Sequence, residues 1–123
     1  MKRILVVEDN ETNLYLVSFI LQKNGYEVIE ARDGSSGVSL AIQESPDLII
    51  MDIQLPDIDG LTATRRIRAS EADGRIPIVA LTSYAMAGDE AKTLEAGCTG
   101  YIEKPIDPDR FVEQIAAYLQ TNS

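Results

Sequence analysis

Four times in this chain a short apolar run breaks off at a polar or charged group. Ile4-Leu5-Val6-Val7 leads into Glu8-Asp9, and Leu48-Ile49-Ile50-Met51 into Asp52. Ile78-Val79-Ala80-Leu81 leads into Thr82, and Tyr101-Ile102-Glu103 into Lys104-Pro105. Apolar runs without alternation are the mark of strands covered on both faces. In an open parallel α/β sheet the C-terminal ends of such strands line the crevice where ligands bind. The pattern therefore predicts that Glu8, Asp9, Asp52, Thr82 and Lys104 share one pocket. Carboxylates brought together repel each other, so a chain that accepts this cost is expected to hold a divalent cation or to carry out chemistry there.

Strands are predicted at Arg3–Val7, Glu27–Ala31, Leu48–Met51, Ile78–Leu81 and Gly100–Ile102. Helices fill the intervals. The first spans Glu11–Asn24, with Asn10 as N-cap and Gly25 as its stop. The next three span Ser35–Glu44, Leu61–Ala69 and Gly88–Ala96, and the last begins at Asp107 as N-cap with Pro108 in the first helical position. Five strand–helix units in succession argue for a parallel sheet with right-handed crossovers. With 123 residues, 45% of them hydrophobic, one domain over 1–123 is expected to have core enough to stand without disulfides. On the first helix, Leu16, Val17 and Ile20 are placed toward the core, with Asn13 and Asn24 at the stripe's edges. Leu14, Tyr15 and Phe19 are then apolar residues in excess of one buried face.

Charge and composition exclude several functions. A net charge of −9 disfavours direct nucleic-acid binding, which needs a basic patch. With no histidine and a single cysteine, the composition argues against a zinc site; Cys98 reads as a small buried hydrophobe. No apolar stretch approaches the roughly 20 residues of a membrane helix, and the N-terminus enters a strand directly. A cytoplasmic protein without membrane contact is expected, and its initial Met favours a stand-alone chain.

Glu8 and Asp9 alone could serve as charges at a helix N-terminus. Asp52 decides otherwise, because a buried strand end gives a charge no structural reason. Three carboxylates with nearby carbonyls make a hard oxygen site of the kind Mg²⁺ uses. Lys104 would point into this anionic crevice, pairing with a carboxylate or binding a phosphoryl oxygen. Thr82 adds a hydroxyl donor.

These residues, in this order, resemble the receiver domain of two-component response regulators. The resemblance spans essentially the whole chain and rests on Val-Val-Glu-Asp-Asn, Met-Asp-Ile-Gln-Leu-Pro, Ala-Leu-Thr-Ser-Tyr-Ala-Met and Tyr-Ile-Glu-Lys-Pro-Ile. Within the family the chain is similar to DivK-like single-domain regulators and to receivers of hybrid sensor kinases. The resemblance implies a flavodoxin-like (βα)5 fold, a five-stranded parallel sheet in order 2-1-3-4-5 with helices on both faces. It implies that Asp52 accepts a phosphoryl group from a histidine kinase or histidine phosphotransfer protein. Asp9, Asp52 and the Gln54 backbone carbonyl would ligate Mg²⁺, with Mn²⁺ as a substitute, and Glu8 would act through water. Lys104 and Thr82 would hold phosphoryl oxygens, and Tyr101 would be the aromatic switch that alters binding of a downstream protein target. The Lys104–Pro105 peptide would be cis, and Tyr84 would shield the phosphoryl group from water.

Two other classes fit less well. A Mg²⁺-dependent aspartyl-phosphate phosphatase would want an Asp two places after the nucleophile, where this chain has Gln54. A flavin carrier would need a phosphate-cradling loop after the first strand, where Glu8-Asp9-Asn10 would repel phosphate. The protein is therefore expected to be a switch that catalyses only its own phosphorylation and dephosphorylation. Leu14 and Tyr15, beside the acidic pocket, are the expected docking patch for the histidine-bearing partner.

Overall fold

The computed structural model describes residues 1–70, 76–83 and 89–121. Five strands, β1 (Arg3–Val7), β2 (Glu27–Ala31), β3 (Leu48–Asp52), β4 (Ile78–Thr82) and β5 (Gly100–Glu103), alternate with five helices. The helices are α1 (Glu11–Lys23), α2 (Gly34–Glu44), α3 (Gly60–Ser70), α4 (Asp89–Ala96) and α5 (Pro108–Thr121). The strands form one parallel sheet in the flavodoxin-like order β2-β1-β3-β4-β5. Three strands run one residue beyond their apolar segments and take Asp52, Thr82 and Glu103 into the ladder. Backbone pairing ignores side-chain polarity, so the charged residue ends the strand instead of following it. Among the described residues no helix is long and apolar enough to cross a membrane.

Short polar side chains start the helices. Asn10 accepts from the Asn13 N–H at 3.0 Å, Asp33 from the Ser36 N–H at 2.7 Å, and Asp59 from the Thr62 N–H at 2.7 Å. Each satisfies a donor that the first helical turn leaves orphaned. Asp107 does the same for Asp109 at 3.1 Å ahead of α5. Gly25 follows α1 at φ 88°, a conformation that disfavours any side chain. At the N-terminal end of the sheet Arg3 binds Glu27 at 2.9 Å and Glu44 at 2.6 Å, while its N–H donates to Asp47 at 2.8 Å.

Successive strand residues serve opposite faces. Ile4, Val6, Leu48, Ile50, Val79 and Leu81 pack with Leu14, Val17, Leu21, Phe111 and Ile115 of α1 and α5. Leu5, Val7, Ile49, Met51, Ile78 and Ala80 pack with Ala41, Ala63 and Ile67 of α2 and α3. The apolar runs of β1 and β3 are wholly buried, each large side chain contributing about 1.5–3 kcal/mol. Cys98 is buried as expected, its thiol 3.7 Å from the Thr64 hydroxyl.

The expected stripe on α1 needs correction. Leu14 is 1% exposed and belongs to the core, whereas Leu16 is 42% exposed. The buried face is Leu14, Val17, Ser18 and Leu21, with Ile20 beside it. That is the i, i+3, i+4, i+7 pattern, disguised by a serine. Ser18 is tolerated inside because its hydroxyl donates to Glu30 at 2.8 Å.

β5 is held to α5 at one close approach. A Cβ on Gly100 would lie 2.0 Å from the Tyr118 hydroxyl oxygen and 2.7 Å from its ring carbon. Gly100→Ala should therefore cost about 1–3 kcal/mol in urea unfolding. Adding Tyr118→Ala to Gly100→Ala should cost less than the sum of the two single losses, because the collision is gone; strict additivity would mean that Gly100 matters for another reason.

Candidate functional site

The sheet order reverses between β1 and β3, the point at which an open α/β sheet leaves a crevice beyond its strand ends. Glu8 follows β1, and its N–H still bonds the Ala31 carbonyl at 3.0 Å, which carries strand geometry one residue further. The Glu8 side chain is thereby committed to the crevice and is fully buried, with Asp52 at the end of β3 only 4% exposed. Asp9 stands at the exposed rim. Carboxylate oxygens of Glu8, Asp9 and Asp52 lie within 4.8 Å of one another.

Lys104 supplies the counter-charge. Its Nζ is 3.0 Å from Glu8 Oε1 and 3.3 Å from Asp52 Oδ2. Its backbone N–H donates to the Thr82 carbonyl at 2.8 Å, so the β4–β5 ladder aims the side chain. The Lys104–Pro105 peptide is cis, as expected. The other oxygen of Asp52, Oδ1, accepts from the Gln54 N–H at 3.1 Å. Glu8 Oε2 is approached by the Asn10 N–H at 3.4 Å.

Burial, then the neighbouring Asp52 carboxyl, push Glu8 above the usual carboxylate range against the pull of Lys104. Burial lowers Lys104, but the Glu8 hydrogen bond and the Asp52 charge outweigh it and leave its pKa raised. The lysine therefore stays charged and neutralises only part of the site. Three hard oxygen donors with that residual negative charge suit Mg²⁺.

The other expected residues take different places. Thr82 ends β4, one position beyond the Leu81 that pairs with Asp52, and is half-buried at the same rim. Gln54, two residues after Asp52, is exposed. Tyr101 pairs with Ala80 in the ladder and packs partly buried on the α2–α3 side of the sheet, apart from the carboxylates. Tyr84 lies outside the described residues.

Sequence reasoning missed Gly60. A Cβ there would sit 2.1 Å from the Asp52 carbonyl oxygen, so only glycine lets α3 begin against the end of β3. Its N–H donates to the Ile53 carbonyl at 2.8 Å. The signal was present in Asp59-Gly60, a cap residue followed by a glycine just inside a helix.

Residues 4–116 match the family profile of the response regulator receiver domain. The polar-differentiation response regulator DivK of Brucella ovis is 44% identical over 118 residues, 96% of each chain. Among solved structures, the receiver domain of a sensor histidine kinase from Pseudomonas aeruginosa, with a magnesium ion coordinated in its active-site cleft, is 38% identical. It covers 97% of this chain and 98% of that one, with a TM-score of 0.89. A CheY-like receiver domain protein from Methanospirillum hungatei is 30% identical, covering 99% and 96%, with a TM-score of 0.91.

The crowded carboxylates have a measurable cost in the absence of metal. Native Glu8 holds its proton more tightly than unfolded Glu8. Its contribution to stability is therefore full below the ordinary glutamate range and lost as pH rises through the raised value. Asp52→Asn removes one charge and should stabilise the chelated protein at neutral pH by roughly 1–2 kcal/mol, part of a charge pair being offset by the weaker hold on Lys104. Millimolar Mg²⁺ should abolish the gain. Urea midpoints with and without chelator decide this, and a destabilised asparagine variant in chelator would refute the repulsion.

Proposed function

The chain belongs to the response regulator receiver domain family, and on that premise we propose that it is a cytoplasmic phosphoacceptor switch, one domain over 1–123, charged by a phosphohistidine. The same site would serve a stand-alone regulator and a receiver borne on a hybrid histidine kinase. One observation carries the reading: Asp52 is buried at a strand end with one oxygen held by the Gln54 N–H and the other by Lys104. A carboxylate so oriented is a nucleophile in fixed position.

An Asp52 oxygen forms the new bond to phosphorus as the P–N bond of the donor histidine breaks, and the imidazole nitrogen keeps the electron pair. Lys104 and Thr82 take up the phosphoryl oxygens, Lys104 turning from carboxylate to phosphoryl as charge arrives. Asp9, Asp52 and the Gln54 carbonyl would hold Mg²⁺, or Mn²⁺ in its place, with Glu8 acting through water. Bound metal supplies the charge neutralisation that phosphoryl transfer needs. The added phosphoryl charge draws Thr82 toward it and lets Tyr101 turn inward, biasing the surface offered to a downstream protein.

The phosphodonor docks on α1. Tyr15 is 69% and Phe19 50% exposed, their rings stacked with centroids 6.1 Å apart. Leu16 continues the patch into a cavity of about 330 Å³ bounded by Glu8, Lys104, Pro105 and Ile106. The patch is therefore Tyr15, Leu16 and Phe19, and Leu14, placed in it on sequence grounds, lies beneath it.

Acetyl phosphate with Mg²⁺ should add one phosphoryl group, seen by intact mass, and none to Asp52→Asn. Tyr15→Ala and Phe19→Ala should slow transfer from the cognate histidine donor at least ten-fold, the scale of an interface anchor worth about 2 kcal/mol. Labelling by acetyl phosphate should stay unchanged in both. Parallel loss of the two routes would place these residues in the fold instead of an interface, while full labelling of Asp52→Asn would remove the assigned acceptor.

A further inference from the structure

The segment between β3 and α3 carries Gln54, whose carbonyl the proposed function assigns to the metal, so its position bears on the whole site. Its two ends are tied down. Ile53 donates to Leu81 of β4 at 3.1 Å and accepts from Gly60 at 2.8 Å, and Asp59 caps α3. The middle of the segment is fastened to a different element by Asp57. One carboxylate oxygen accepts from the Gly34 N–H at 2.7 Å and the other from the Ser35 N–H at 2.9 Å, at the first turn of α2. The contact is close: a Cβ on Gly34 would fall 2.4 Å from the Ile58 side chain and 2.8 Å from its carbonyl oxygen. Asp33 already caps α2 by accepting from Ser36, so Asp57 takes two further orphan donors of the same turn. The Ser35 hydroxyl and these N–H groups hold Asp57 far below the usual carboxylate range, as expected for a carboxylate that must stay charged at a helix N-terminus. No sequence signal beyond Pro56-Asp57 marked it.

We propose that Asp57 is a positioning residue: by clamping the β3–α3 segment to the start of α2, it holds the Gln54 carbonyl where a cation bound to Asp52 and Asp9 can use it. The role rests on the receiver reading of the site. Asp57 touches neither metal nor phosphoryl group and acts through the backbone it anchors. Groups that orient the ligands of a metal commonly govern affinity by roughly 10–100-fold, and a main-chain carbonyl can be oriented only through its own segment.

The test is a Mg²⁺ titration of the full chain followed by backbone amide NMR shifts, with acetyl phosphate labelling rates measured across the same Mg²⁺ range. In Asp57→Ala the half-saturating Mg²⁺ concentration should rise roughly ten-fold, while the labelling rate at saturating Mg²⁺ stays near that of the parent. Asp57→Asn, which keeps one acceptor oxygen, should fall between the two. Without any metal, amides of residues 53–55 should exchange faster in Asp57→Ala. Arg3→Ala, which breaks the clamp at the opposite end of the sheet, should lower the thermal midpoint without moving the Mg²⁺ titration. An unshifted Mg²⁺ curve in Asp57→Ala, or an equal shift in Arg3→Ala, overturns the role. A parent that binds Mg²⁺ yet takes no phosphoryl group refutes the receiver chemistry while the titration still judges Asp57. A parent that binds no Mg²⁺ overturns both.

Discussion

Lys104 is the group on which the crevice depends. A fully buried glutamate and a nearly buried aspartate side by side would not both remain charged in a folded protein without a cation within reach. Lys104 touches both, and its own burial is offset by the same contacts. The arrangement is stable but not neutral. It leaves an excess of negative charge, Lys104 being the one cation paired with Glu8 and Asp52 among the described residues, and such an excess favours a cation over an anion.

The sheet turns this local electrostatic problem into a fixed geometry. Because alternate residues of β1 and β3 feed two separate cores, neither strand can rotate or slip by one position without exchanging its buried faces. The ends of those strands are therefore placed by packing far from the crevice. Gly60 completes the arrangement from the other side, letting α3 start in contact with the Asp52 carbonyl.

Much of this was legible in the sequence because strand ends announce themselves where apolar runs stop. Glu8, Asp9, Asp52 and Lys104 were found by that rule, and the structure gathers them. Reading failed where the deciding partner lay elsewhere in the chain. Ser18 interrupts the apolar stripe of α1 and so hid Leu14's place in the core, because the partner that lets Ser18 be buried, Glu30, lies in β2. Asp57 was passed over, since the N–H groups it meets belong to Gly34 and Ser35. Gly60 could have been suspected from Asp59-Gly60, but the 2.1 Å approach that forbids a side chain is a fact of tertiary packing.

The burial of Cys98 has a consequence for how a signal in this protein is kept clean. Its thiol is the chain's only one, and burial pushes its pKa up against the weaker pulls of Thr64 and Arg68. The thiolate, the form that oxidants and electrophiles attack, is thus scarce as well as sheltered. Oxidants and electrophiles in solution therefore meet a thiol that is both protonated and covered. For the experimenter the same burial makes the native sequence a ready background for spin or fluorophore labels at introduced surface cysteines.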